Sequence, residues 1–259
     1  MASRLRSLYV FFIQLFPVRY RFGVVTLFSY LFAPILQFAP FMKKHRQANF
    51  KFDTDMSPAL LWCIKPLMTI DLGLKVMIDD QLISNAVQSN KGTVLVCYHG
   101  TFMPLIMPYL YDNQFNVHSW SIREREVYFG REINHSLTPS PTAFFKAKNL
   151  LMSSEMIAVM IDFEAHYVKR AQEINTQFGK MYITDSFFKL ATTCQSNVVF
   201  VKYALKGKQV MFELGKPADV AAGAEEITKQ YTRFLHKQAP IAAETEFTLN
   251  NALVYPQVA

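Results

Sequence analysis

The chain has 259 residues, of which 51% are hydrophobic and 18% are charged, with 23 phenylalanines and 12 tyrosines. This composition excludes an intrinsically disordered protein and a coiled coil, and the length suits one domain with at most a small appendage. Lys and Arg outnumber Asp and Glu by 27 to 20, so the surface should attract anions such as nucleic acid or anionic lipid. The three cysteines are far apart and include no C-x-x-C pair, which favours a reducing compartment over a disulfide framework or a zinc knuckle.

Residues 1–46 are predicted to be a membrane-associated helical segment. No charged residue occurs from Phe22 to Met42, and as a helix this run would match a bilayer core of about 30 Å. Pro34 and Pro40 would kink or end such a helix in its second half. Basic residues on both sides of the run can reach anionic head groups, so we expect attachment to one leaflet. A signal peptide and a buried core helix are the alternatives.

Residues 47–259 are predicted to form one α/β domain, because no linker, repeat or low-complexity tract divides them. Ser57 and Pro58 have the pattern of a helix N-terminus, and the stretch 71–89 is interpreted as helices or their approaches. The β-branched run TVLVCY predicts a strand that ends at His99 and Gly100 and leads into an apolar helix, TFMPLIMPYLY.

Two further units repeat this order. The predicted helix KAKNLLMSSE precedes the strand MIAVMI, and the helix ITDSFFKLATTC precedes the strand NVVFVKYAL. The run KQVMFELG pairs with that last strand across a turn at Lys206 and Gly207, and EEITKQYTRFLHKQAP is a further amphipathic helix. This order predicts a mixed central β-sheet flanked by helices.

Polar side chains follow two of these strands, at the sheet edge where the sites of α/β proteins lie. His99 is the first candidate, because an imidazole can take a proton from a hydroxyl and return it to a leaving group. A hydrogen-bonded structural histidine is an equally common reading. Asp162 and Glu164 supply carboxylates after the second strand, and Arg123 belongs to SIREREVYFGRE, which could also be only a solvated charged segment.

Other chemistries lack their characteristic motifs. The sequence contains no G-x-S-x-G, no P-loop and no G-x-G-x-x-G, and its six histidines show no metal-ligand spacing, so we expect no metal. Cys97 precedes His99 by two positions, but packing in a strand is its expected role. The positive charge alone suggests nucleic acid, and no recognition motif supports that partner, so none is expected.

The ordered set KGTVLVCYHGTFMPL, SIRERE, MIAVMIDFE, QFGKMYITDSFFKLATTCQSNVVFVKYAL and RFLHKQAP resembles the late acyltransferases of lipid A synthesis, within the lysophospholipid acyltransferase superfamily. The resemblance covers roughly residues 90–240 and extends to the N-terminal membrane helix. It implies an acyltransferase-like α/β fold. It also implies that His99, Arg123, Asp162 and the turn at Phe178 and Gly179 occupy the family's motif positions.

This sequence departs from the family pattern five residues after His99, where the family has an acidic residue and this chain has Pro104. In the family that carboxylate orients the imidazole, and loss of the corresponding carboxylate from the serine-protease triad lowers kcat by roughly ten-thousandfold. A branch of the family that lacks the standard pair transfers glycine from a carrier protein to lipid A, and this chain resembles that branch. A conventional fatty acyltransferase and a catalytically inactive lipid-binding relative are the alternatives.

In the implied reaction, a hydroxyl of lipid A attacks a phosphopantetheine thioester on an acyl or aminoacyl carrier protein, with no permanently bound cofactor. Asp162 or Glu164 would replace the missing carboxylate or hold the donor ammonium, and Arg123 would bind an acceptor phosphate or stabilise the oxyanion. Further cations would bind the acidic partners: Arg125, Arg131 and Lys180. The resemblance implies the cytoplasmic face of the inner membrane, and a product with less negative charge that resists cationic antimicrobial peptides.

Overall fold

The computed structural model describes residues 2–36, 57–78, 90–163, 172–176 and 179–237. The strands, in chain order, are β1 (Lys75–Ile78), β2 (Thr93–Cys97), β3 (Val117–Ser119), β4 (Arg125–Tyr128), β5 (Arg131–Asn134), β6 (Met156–Met160), β7 (Asp162–Phe163), β8 (Gln172–Thr176), β9 (Gly179–Ile183), β10 (Asn197–Lys206) and β11 (Gln209–Leu214). The α-helices are α1 (Ala2–Gln14), α2 (Val18–Leu36), α3 (Pro58–Ile64), α4 (Ile106–Asp112), α5 (Ala143–Met152), α6 (Ser186–Cys194) and α7 (Gly223–Lys237). Short 3₁₀ turns cover Lys65–Leu67, Met103–Leu105 and Val220–Ala222.

A mixed six-stranded sheet with the order β1-β11-β10-β2-β6-β3 forms the centre of the fold. The pair β10 and β11 is antiparallel, and the other neighbours are parallel. Every residue of β2 is buried, as expected of a parallel strand covered on both faces. The predicted mixed sheet flanked by helices is confirmed.

The register of the parallel strands decides which residues meet at the carboxyl edge of the sheet. Cys97 on β2 pairs with Met160 on β6. His99 and Asp162 each lie two residues beyond this pair, so they are level with one another. The two polar segments predicted from sequence therefore meet at one edge.

Several predicted elements are confirmed. Ser57 caps α3, its hydroxyl accepting the Leu60 N–H at 3.1 Å, and Pro58 is the first helical residue. The predicted helices before β6 and β10 are α5 and α6, and β10 and β11 form the predicted hairpin. The last predicted helix, residues 225–240, overlaps α7, which begins two residues earlier.

The interpretation of the stretch 71–89 as helical is wrong where that stretch is described. Lys75–Ile78 is an edge strand parallel to β11, and residues 79–89 lie outside the described residues. Gly73 explains the difference, because its φ of +69° is incompatible with a continuing α-helix and a Cβ there would lie 2.7 Å from the Val18 carbonyl oxygen. Residues 75–78 form a strand because they pair with β11, and not because of their local sequence pattern.

The charged segment SIREREVYFGRE includes β4, the turn and the start of β5, so it is not merely a solvated segment. Its turn residues Phe129 and Gly130 have φ values of +50° and +75°. Positive φ at both central positions is typical of a type I′ turn, which matches the twist of the paired strands. Phe129 is buried and stacks on Phe102, with ring centroids 5.5 Å apart, so the turn is fixed against the body of the protein.

Helices α1 and α2 bury one face and expose apolar side chains on the other. Phe22, Val25 and Ser29 of α2 are buried, and Pro34 lies inside the helix without ending it. Pro40 lies outside the described residues. Large apolar side chains are exposed along this helix pair and its connection: Leu5, Leu8, Phe11, Leu15, Leu27 and Leu31. Among the helices that the structure describes, none combines the length and the apolar character that a bilayer crossing requires.

Candidate functional site

The candidate site is the contact between His99 and Asp162 at the carboxyl edge of the sheet. One oxygen of Asp162, Oδ2, accepts the backbone N–H of His99 at 2.7 Å. The other, Oδ1, lies 3.2 Å from His99 Nδ1, in contact but without the alignment of a good hydrogen bond. Catalytic hydrogen bonds are often loose before substrate binds. One carboxylate thus accepts a hydrogen bond from the backbone of His99 and contacts its ring.

The two side chains differ in their access to solvent. Asp162 is fully buried, whereas 32% of the His99 side chain is exposed. Nδ1 itself is buried, so the exposed surface of the side chain lies elsewhere. Burial lowers the pKa of His99, but the charge and hydrogen bonds of Asp162 outweigh it, and the net shift is upward. Because Asp162 lies beside Nδ1, the arrangement can accept a proton at Nε2 and stabilise the resulting imidazolium.

The turn after β2 is held by an aromatic cluster. Tyr203 of β10 accepts the N–H of Phe102 through its phenol oxygen at 3.3 Å, and its ring stacks on Tyr98 with centroids 5.6 Å apart. Gly100 lies against this cluster, and a Cβ there would be 2.7 Å from the Tyr203 oxygen. Only glycine fits at this position, so packing fixes the backbone on both sides of His99.

Arg123 belongs to a polar network at the end of β3. Its Nη1 donates to Glu126 Oε1 at 3.2 Å, while Glu126 Oε2 lies 3.1 Å from His135 Nε2. The other ring nitrogen of His135 lies 2.8 Å from Ser119 Oγ. Burial raises the pKa of Glu126, but His135 and Arg123 outweigh it and the net shift is downward. The carboxylate is therefore ionised and the guanidinium is held in place.

The remaining predicted site residues do not join the His99 contact in the described structure. Arg125 pairs with Glu132 across the β4–β5 hairpin, and Arg131 pairs with Asp112. Glu164 and Phe178 lie outside the described residues, and of Lys180 only the backbone position in β9 is described. Their binding and catalytic roles stay predictions.

A cavity of about 170 Å³ lies against Phe129, and no residue of the His99–Asp162 contact is among those that line it. Asp71, Leu105, Phe129 and Arg131 are among its lining residues. Its volume is close to the roughly 150 Å³ of an engineered cavity that takes benzene. It can therefore hold a small group but not a long hydrocarbon chain.

Among the described residues, no three His, Cys, Asp or Glu side chains are grouped as metal ligands.

Sequence reasoning missed Glu126, His135 and Tyr203. The first two meet only because the β4–β5 hairpin folds back, and the one sequence signal for that turn is Gly130 between two short β-prone runs. Tyr203 has no local signal, because it reaches the turn after His99 from a neighbouring strand.

No protein-family model matches the chain, and no curated protein matches it by sequence. Among solved structures, the chain is similar to the 1-acyl-sn-glycerophosphate acyltransferase PlsC of Thermotoga maritima. The identity is 13% and the TM-score is 0.42, over 86% of this chain and 95% of that chain. A likeness of this degree does not by itself assign a function.

Proposed function

We propose that this chain is an acyltransferase that moves an acyl group from a thioester to a hydroxyl of an anionic lipid. The observation that carries the proposal is the His99–Asp162 contact, which pairs a partly open imidazole with a fully buried carboxylate. An imidazole oriented by a carboxylate is suited to general-base activation of a hydroxyl. It favours an enzyme over an inactive lipid-binding relative, because the carboxylate missing at Pro104 has a substitute on the neighbouring strand.

In the proposed reaction, the two nitrogens of the His99 imidazole have different roles. Nε2 of His99 takes the proton of the acceptor hydroxyl as its oxygen attacks the thioester carbonyl carbon, and Asp162 stabilises the imidazolium through Nδ1. The tetrahedral intermediate collapses with cleavage of the C–S bond. The imidazolium then returns its proton to the departing thiolate, leaving an ester and a free thiol. Arg123 supplies positive charge for an acceptor phosphate or for the oxyanion.

For the substrates, we propose glycine as the acyl group, a carrier-protein phosphopantetheine arm as its donor and lipid A as the acceptor. Since Asp162 contacts His99, the absent acid at Pro104 no longer argues by itself for an unusually reactive donor. The choice of glycine therefore rests on the family resemblance.

We propose that the exposed apolar face of α1 and α2 attaches the chain to the cytoplasmic face of the inner membrane. Leu5, Phe11, Leu15 and Leu27 are exposed on these helices and their connection. Several arginines accompany them, and exposed apolar side chains with nearby cations are typical of segments that lie in the interface of an anionic bilayer.

The test is transfer by the purified chain in lipid A micelles, with glycyl-carrier protein and fatty-acyl-carrier protein supplied separately and the lipid products measured by mass spectrometry. We expect a mass increase of one glycyl group and little fatty transfer. Faster fatty transfer would reject glycine and leave acyl transfer standing. His99→Ala should abolish the product, whereas His118→Ala, which removes a glutamate-bound histidine from β3, should not. Product formation by His99→Ala at the normal rate would remove the proposed base.

A further inference from the structure

Glu126 is the centre of the network beside the proposed site. It contacts the guanidinium of Arg123 with one oxygen and the ring of His135 with the other. The side chains of Glu126 and His135 are only 15% and 8% exposed, whereas that of Arg123 is 60% exposed. The carboxylate is thus fixed from the interior by His135 and carries an accessible cation on its outer side.

The strand register brings this cation to the same edge as His99. Ser119, the last residue of β3, pairs with Ala158 on the parallel strand β6. Arg123 lies beyond the end of β3, in the bend that leads to β4, so the chain reaches it from the carboxyl edge of the sheet. The charge of Glu126 contributes, after that of Asp162, to the upward shift in the pKa of His99. These two carboxylates are the described charged groups that act on the ring.

From this placement we infer that Glu126 is a positioning residue, which holds Arg123 at the carboxyl edge of the sheet so that its guanidinium binds a phosphate of the lipid acceptor. The inference rests on the proposed function and names the group that acceptor must carry. A free arginine has many rotamers, and binding a phosphate with it requires their loss. Glu126 limits those rotamers before the lipid arrives, and a guanidinium can still engage an anion through its remaining N–H groups.

Glu126→Gln tests the inference, because it removes the charge and keeps the size of the side chain. Its matched control is Glu155→Gln, which removes a second histidine-bound glutamate, 2.5 Å from His118 Nε2 at the other end of the sheet. Loss of the ion-pair partner of Arg123 is expected to raise KM for lipid A by roughly two- to fivefold while kcat changes much less. The control should keep the KM of the wild-type protein.

Two measurements separate failure of this inference from failure of the proposed function, since neither requires turnover. The first is equilibrium binding of the wild-type protein and both variants to detergent micelles that contain lipid A or its dephosphorylated form. We expect Glu126→Gln to lose the preference for the phosphorylated lipid. The second is titration of the His99 ring by NMR, in which Glu126→Gln should lower the pKa of His99 and Glu155→Gln should not.

Unchanged micelle binding and an unchanged His99 titration in Glu126→Gln would overturn the inference, even if glycyl transfer were observed. Equal losses in Glu126→Gln and Glu155→Gln would also overturn it, because they would indicate a general effect on folding. Phosphate-dependent binding that fails only in Glu126→Gln would support it, even if no donor were turned over.

Discussion

Replacing Asp162 with Asn should reverse the hydrogen bonding of the His99 ring. In the wild-type protein, Oδ2 of Asp162 accepts the His99 backbone N–H and Oδ1 faces Nδ1. An asparagine amide has only one oxygen, and the backbone N–H requires it. The NH₂ group would then face Nδ1 and donate to it, which forces the ring proton onto Nε2. Nε2 would then carry a proton and could not act as a base.

The magnitude follows from the analogous change in the serine-protease triad, where Asp to Asn produces the wrong tautomer and lowers kcat by roughly ten-thousandfold. This corresponds to about 5 kcal/mol of transition-state stabilisation. We expect a loss of similar size in Asp162→Asn, with the protein still folded, because the asparagine has the volume of the aspartate and keeps the bond to the His99 N–H.

The assay is carrier-dependent transfer to lipid A followed across pH. As a base, His99 must be neutral, so kcat/KM should rise with pH through its pKa, and the residual activity of Asp162→Asn should rise at a lower pH because the carboxylate no longer raises that pKa. Asp219→Asn is the control, because that side chain caps a 3₁₀ turn and Asn caps equally well. A loss below about tenfold in Asp162→Asn would refute the tautomer argument.

The same contact predicts how stability depends on pH. Burial lowers the pKa of His99 and Asp162 raises it more, so folding raises this pKa above its ordinary value of 6.5. Protonation of the ring therefore stabilises the folded state; the contribution is complete below about pH 6.5 and is lost as the pH rises through the folded pKa. Urea unfolding across this window should show a smaller decline for Asp162→Asn than for the wild-type protein. Equal declines in both would contradict the proposed charge coupling.

Two further predictions concern packing and membrane attachment. Gly100→Ala should lower the free energy of unfolding by about 1–3 kcal/mol in urea titrations, because its Cβ would lie 2.7 Å from the Tyr203 oxygen. Gly23→Ala, which meets no atom within 4 Å, should not destabilise the protein, and equal effects of the two changes would contradict the packing argument. Replacing both Phe11 and Leu15, which are 61% and 65% exposed, with Ser should weaken co-sedimentation with anionic vesicles at least tenfold, whereas unchanged sedimentation would exclude this face from membrane binding.

The central sheet could be predicted because its strands are continuous apolar runs. TVLVC and MIAVM are buried on both faces, so their composition alone distinguishes them from amphipathic helices. Lys75–Ile78 could not be recognised in the same way, because it is short and half-exposed and is a strand only through its pairing with β11. Its neighbour Gly73 was the one local indication that a helix could not continue.

The sequence predicts which residues are candidates for the site, but not which of them contact one another. His99 and Asp162 were both candidates because each follows a predicted strand, but the choice between Asp162 and Glu164 required the register of β2 against β6. The fixed position of Arg123 depends on Glu126 and His135, which meet through a hairpin that has no strong periodicity. Contacts made across strands leave no spacing rule in the sequence.

The contact between Asp162 and His99 changes the pattern that a search for distant relatives should use. The two residues are 63 positions apart, so a scan for an acid a fixed few positions after the histidine will discard such proteins as degenerate. A structural template built from two adjacent parallel strands, with histidine two places beyond the end of one and an acid level with it on the next, would retain them. Chains in which that acid has migrated between strands could then be recognised as sharing one arrangement of base and carboxylate.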